Sequence, residues 1–186
     1  NSVLPLEIMI NTHRKNGITK RSTLRRINQL NDSLKLYPEF SRSLSIIDPV
    51  KFSQQALYNG NKAFYELPNS QEKRWLMDYT LKSETNNWIN SFVDDNRQFG
   101  RISLNVADIG TTKMNQIKEK LQRQADVIFD PNTYDVFITG TSVVFLKGTT
   151  YLVNNLFISL FLAILLISFF MAWMFNSFRM VVVSLI

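Results

Sequence analysis

The chain has 186 residues, 45% of them hydrophobic, and a formal net charge of +6. It has no cysteine, which excludes a disulfide framework and any thiolate metal site. The basic surplus is local: residues 1–42 carry eight basic and three acidic groups, residues 43–143 carry eleven and twelve, and no nucleic-acid-binding face is expected.

Residues 3–12, VLPLEIMINT, predict a strand, because Leu6, Ile8 and Ile10 alternate with Glu7, Met9 and Asn11. Asn16-Gly17 is a turn signal. A helix is expected from about Lys20 to Leu36, with Leu24, Ile27, Leu30 and Leu34 on its apolar stripe and Thr19 or Ser22 as its N-cap. Lys20, Arg21, Arg25 and Arg26 fall on the exposed side of that helix, a solvated face with anionic head-group contact as the weaker alternative. Pro38 ends the element, and Ser43 to Ile47 reads as a short second strand closed by Asp48-Pro49.

The region 49–96 has the texture of an insertion. A helix is expected from Asp48-Pro49 to about Tyr58, another from Ser70 to about Leu81, and a short one from Asn87 to Phe92. Its aromatics are Phe52, Tyr58, Phe64, Tyr65, Trp75, Tyr79, Trp88 and Phe92. They read as core packing of the insertion, or as an amphiphilic surface that lines a path for an apolar ligand or packs on a neighbouring domain.

Residues 98–106, QFGRISLNV, predict a third strand, Lys113 to Phe129 a helix with Met114, Ile117, Leu121 and Ile128 on one stripe and Ala125 between, and Tyr134 to Gly140 a fourth strand. Strand, helix, strand thus occurs twice, in 3–47 and in 98–140. The expected fold class is α+β, a ferredoxin-like split βαβ sandwich with a helical insertion.

From Thr141 the texture changes. Leu156 to Phe175 is a run of 20 residues without charge, Pro or Gly. Twenty helical residues reach about 30 Å, the thickness of a bilayer's hydrocarbon core. The expected division is a soluble domain over 1–142 and a transmembrane segment over 143–186, the span at about 156–175 and a second helix beginning near residue 180. Between Thr141 and the span, Gly148 is the only breaker. Asn176-Ser177 predicts a tight turn, and the lone Arg179 beside it favours a cytoplasmic turn, which puts 1–142 outside. The abrupt polar start at Asn1, without a signal peptide, and the interrupted apolar run MVVVSLI are expected of a fragment of a longer membrane protein.

Little catalytic chemistry is visible. His13 is the only histidine and reads as a solvated surface residue. Asp94-Asp95 reads as a polar turn rather than a Ca²⁺ or acid/base site. Asn31-Asp32-Ser33 fits a glycosylation sequon but falls inside the expected first helix. No nucleotide or hydrolase signature occurs. The sequence nominates no catalytic residue, no cofactor and no metal ligand, leaves the substrate-binding residues open, and predicts that the chain is not an enzyme.

The order of elements resembles a resistance-nodulation-division (RND) transporter, in the MMPL or Patched-like branch. The resemblance rests on a βαβ-βαβ domain that ends in YDVFITGTS and passes directly into VVFLKGTTYLVNNLFISLFLAILLISFFMAWMF, then turns at Phe175 to Arg179. It implies a polytopic, inner-membrane, proton-driven exporter of hydrophobic or amphiphilic substrates such as lipids or drugs, with 1–142 as its periplasmic porter domain. The implied partners are membrane lipids, the rest of the same polypeptide and the substrate, with homo-oligomerisation open and no nucleic acid. The family's proton-relay carboxylates have no counterpart here, because residues 141–186 contain no Asp, Glu or His. The alternative reading is an extracytoplasmic sensor domain of a membrane receptor. A third is an accessory of similar architecture, structural or acting in protein translocation.

Overall fold

The computed structural model describes residues 3–69, 71–72 and 86–175. The first strand, β1, runs Val3–Asn11, and its alternation is realised in full. Leu6, Ile8 and Ile10 are completely buried, while Glu7 and Met9 lie on the opposite face, half-buried. Helix α1 covers Arg21–Leu34 and buries Leu24, Ile27, Leu30 and Leu34. Neither Thr19 nor Ser22 caps it: the N-cap position is Lys20, which makes no side-chain cap bond, and the Thr19 hydroxyl donates instead to the carbonyl of Asn16 at 2.9 Å.

The expected second strand does not form. Phe40 makes an isolated antiparallel bridge to Val106, and Leu44 another to Ser103. The Asp48 carboxylate then accepts from the Ser45 backbone N–H at 2.9 Å and draws the chain into helix α2, Ile47–Leu57. Asp48-Pro49 thus lies in the first turn of a helix, where a proline lacks no hydrogen bond the helix needs. A single 3₁₀ turn follows at Lys62–Phe64. The helix expected from Ser70 falls outside the described residues beyond Glu72, but its start is described. Asn69 Oδ1 accepts from the backbone of Gln71 and Glu72, and Glu72 Oε2 accepts from the backbone of Asn69. This reciprocal capping box makes Asn69 a cap. Helix α3 is short, Asn86–Asn90.

Strand β2, Phe99–Ala107, helix α4, Thr111–Ile128, and strand β3, Asp135–Thr139, complete the layer. The sheet is three-stranded and antiparallel in the order β2-β1-β3. Its register stacks Leu6 on Leu104 and Ile8 between Ile102 and Ile138, so the even-numbered residues make one apolar face. That face, together with the buried stripes of α1 and α4, forms the core, and Phe129 at the end of α4 is 1% exposed. Opposite Ile10 stands Gly100, where a side chain would meet the Ile18 Cδ1 at 2.8 Å. The architecture is therefore mixed α/β: a small antiparallel sheet, helices, and a long C-terminal apolar helix.

That last helix, α5, runs without a break over Thr141–Phe175. Thirty-five residues make a rod of about 52 Å, longer than a bilayer's hydrocarbon core. The chain divides into two compact units, Asn1–Val144 and Phe145–Ile186, the boundary falling inside α5.

Candidate functional site: an open sheet face and a strand-to-helix join

The alternation that builds the core also builds the second face of the sheet. Odd-numbered residues point there, and the register sets Met9 between Arg101 and Phe137, with Glu7 between Ser103 and Thr139. Phe137 is 53% exposed. The Arg101 guanidinium donates to Glu7 Oε1 at 3.4 Å and to the carbonyl of Ser91 at 2.6 Å. Beside this pair lies a groove of about 430 Å³, bounded by Met9, Phe92, Phe99 and the residues that follow α3. The far wall of the groove is anchored to β2: the Arg101 N–H donates to the Phe92 carbonyl at 2.8 Å, and Val93 bridges Gly100.

Asp94 secures the bend below that wall. Its carboxylate accepts from the backbone of Gln98 and Phe99, both at 2.7 Å, and from Asn96 at 3.3 Å. Asp95 is exposed. Asp94-Asp95 is thus a polar turn whose first carboxylate is occupied by backbone N–H groups.

The second feature is the passage from β3 to α5. One residue, Gly140, separates them. Its φ is +105°, and a Cβ there would lie 2.9 Å from the Pro5 carbonyl oxygen. The Gly140 carbonyl accepts from the N–H groups of Val143 and Val144. The buried Ser142 hydroxyl donates to the Pro5 carbonyl at 2.6 Å and fastens the first turn of α5 to β1.

Within its own unit α5 begins with Lys147, Thr149, Thr150, Asn154 and Asn155 and is strongly apolar from Leu156 on, with a mean hydropathy of 2.6 over 18 residues, none of them buried. Leu156, Phe157, Ile158, Phe161, Phe170 and Trp173 are all more than 60% exposed. The hydroxyls are satisfied inside the helix: Ser159 donates to the Leu156 carbonyl and Ser168 to that of Ile164. A helix in hydrocarbon needs that self-sufficiency. α5 therefore has the length and composition of a membrane-crossing helix. Gly148 lies within it, with no neighbour within 4 Å of where a Cβ would stand. The turn at Asn176-Ser177, Arg179 and the helix expected from residue 180 lie outside the described residues.

Other residues singled out in the sequence are placed as follows. His13 is half exposed but partnered: Nε2 is 2.8 Å from Asp135, and Nδ1 is 3.4 Å from the Asn11 amide. Asn31 is buried, its Nδ2 donating to Ser45 Oγ at 2.8 Å, so the sequon is turned into the fold and closed to modification. Lys20 and Arg25 are exposed, but Arg21 and Arg26 are half-buried, and the Arg26 guanidinium sits 5.0 Å above the Tyr134 ring. Burial of that kind is cation–π packing rather than a solvated face.

The described aromatics of the insertion are mostly surface residues. Phe92 is buried, whereas Phe52, Tyr58, Tyr65 and Trp88 are exposed. They pair on the surface, Phe52 with Trp88 edge-to-face and Tyr58 stacked on Phe64 at 3.8 Å. Trp75 and Tyr79 lie outside the described residues. The Tyr58 hydroxyl donates to Glu72 at 2.6 Å, and this bond, then the Asn69 backbone N–H, holds the Glu72 carboxyl below the usual carboxylate range. Among the described residues no group of three or more His, Cys, Asp or Glu side chains is placed to hold a metal ion.

Sequence reasoning singled out neither the Glu7–Arg101 pair nor Gly140. The alternation already puts Glu7 and Arg101 on the polar faces of their strands, but they are 94 residues apart and only the register joins them. The signal at Gly140 was a glycine followed by two hydroxyl residues between a strand and a helix.

Comparison with protein-family models and with curated proteins finds no match for this chain.

Proposed function

We propose that this chain is the extracytoplasmic porter domain and the first limb of a membrane hairpin in an RND-type exporter of hydrophobic or amphiphilic substrates. The observation that carries the reading is the join. β3 reaches α5 through a single glycine, and the chain is helical from Thr141 to Phe175. A short connection suits a machine that couples membrane movement to an outer domain, and the apolar run MVVVSLI at 180–186, in place of a charged linker, favours a polytopic protein over a receptor.

The fold reading proposed with it is a ferredoxin-like sandwich whose second strand is reduced to two bridges. Support comes from the order across the sheet: β3, β1, β2, then the bridging residues Phe40 and Leu44 at the far edge of β2. That is the order a split βαβ pair requires when its second strand is worn down. The proposed placement is the inner membrane, with residues 1–142 periplasmic and the energy taken from the proton gradient.

The test is accumulation of an amphiphilic dye such as ethidium in cells that lack their main exporters. Cells making the full-length protein are expected to hold less dye than controls, and a protonophore is expected to abolish the difference. Equal accumulation at confirmed membrane expression, across several amphiphilic dyes, would sink the exporter reading and favour the sensor.

A further inference from the structure

The groove on the open face of the sheet offers a chemistry that the export reading does not use. Glu7 and Arg101 present opposite charges 3.4 Å apart, and both side chains keep roughly a third of their surface in solvent. An exposed pair at that separation contributes little to stability, so either head is free to exchange its partner for a better one. Arg101 has five N–H donors in a planar fork, a shape suited to phosphate oxygens. The Ser91 carbonyl takes one of them at 2.6 Å and fixes the guanidinium at the groove wall.

We propose that this groove binds a zwitterionic headgroup of the phosphoethanolamine or phosphocholine class, with phosphate on Arg101 and ammonium on Glu7. Charge complementarity selects that class. A simple anion would have to approach Arg101 past the Glu7 carboxylate, and a simple cation would meet the guanidinium. A zwitterion satisfies both and leaves the local charge balanced. Met9, Phe92 and Phe99 supply apolar wall for the linker or methyl groups, in a shallow groove open enough to admit a headgroup from solvent. The site is also built on regular backbone, since β1 carries Glu7 and the β2-anchored segment carries the wall. It stands or falls independently of export.

The test is calorimetric titration of the full chain, in maltoside micelles, with glycerophosphoethanolamine (the soluble phosphodiester headgroup, called phosphoethanolamine below), inorganic phosphate and ethanolamine. Saturable binding of phosphoethanolamine is expected, weaker by at least about ten-fold for either half-ligand and after Glu7→Gln or Arg101→Gln, because each removes one charge-assisted contact. Met9→Trp should block the groove without touching either charge. Lys35→Gln, in the exposed Lys35–Asp32 pair, should change nothing. Circular dichroism confirms that each variant is folded. Diacyl phosphatidylethanolamine in the same micelles separates the sources: binding of the lipid alone, lost in the same variants, assigns the site to membrane lipid, and binding of the soluble form assigns it to the headgroup itself. No saturation with either form would overturn the proposal, as would phosphate binding as tightly as phosphoethanolamine, or folded Glu7 and Arg101 variants binding like the parent. Dye export intact without headgroup binding removes this site alone; headgroup binding without export removes only the export reading.

Discussion

Gly140 is where a single residue matters most to this chain. Its positive φ is open to glycine and strained for other residues, and the Pro5 carbonyl leaves no room for a Cβ. Gly140→Ala is expected to destabilise the soluble unit by about 1–3 kcal/mol, the usual range for strained backbone, measured as a shift in chemical denaturation. Gly100 makes the complementary case, because there the obstacle is a side chain. Gly100→Ala should also destabilise, and Ile18→Val should recover part of the loss, since it is the Ile18 Cδ1 that blocks the site. Gly100→Ala and Ile18→Val adding without coupling would sink that account.

Acid sensitivity belongs to the same scale. Among the described residues three carboxyls are held below their ordinary values: Glu39 by the Lys113 ammonium, Glu72 by the Tyr58 hydroxyl, and Asp130 by the Asn132 backbone N–H. A lowered folded value means that the carboxylate form stabilises the fold. That contribution is complete above the unfolded value, about pH 4 to 4.5, and is lost as pH falls through the folded one. The midpoint of unfolding should therefore stay level from pH 8 to 6 and drop below about pH 4.5, with a smaller drop in Asp130→Asn. A midpoint that rises on acidification would contradict this assignment.

At the scale of elements, apolar spacing identified every long element, and caps and edges escaped it. The stripe Leu24–Leu34 is buried as its spacing demands, and so are Met114, Ile117, Leu121 and Ala125, whereas Ile128 at the end of α4 is only half-buried. The start of α1 and the identity of Asn69 as a cap depend on hydrogen bonds that several neighbouring polar residues could equally have made. Asn69→Ala should cost about 1 kcal/mol by removing the acceptor for the Gln71 and Glu72 N–H groups, while the backbone N–H of residue 69 can still donate to Glu72. The second strand was misread because Leu44 and its neighbours look like a strand locally, while Asp48 captures the Ser45 N–H and begins α2. α5 offers a sharper pair of substitutions. Gly148→Ala meets open space and should stabilise the helix by about 0.5–1 kcal/mol. Gly148→Pro breaks it, and in a full-length exporter it should abolish dye export at normal expression. Export that survives the proline would show that a continuous α5 is not needed for coupling.

At the scale of the whole molecule the prediction is one of sidedness. Cysteines introduced singly at exposed Lys62 and at Ser177 in this cysteine-free chain should react oppositely with a membrane-impermeant maleimide, Lys62→Cys from outside and Ser177→Cys only after permeabilisation. The reverse pattern would invert the proposed topology, and labelling of both from one side would remove the span.

Charge and periodicity alone determined that residues 156–175 suit hydrocarbon, that β1 and β2 each have one apolar face, and that the chain before the apolar run is a mixture of strands and amphipathic helices. Burial of apolar surface is a local property of each segment, and spacing records it. What only the tertiary structure decided is which residues from distant strands meet. Glu7 and Arg101 come together through a register spanning 94 positions, Gly140 is confined by a carbonyl from Pro5, and residues 40–44 are left as two bridges. These outcomes depend on hydrogen bonds and excluded volume between segments far apart in the chain, and local patterning carries no record of them.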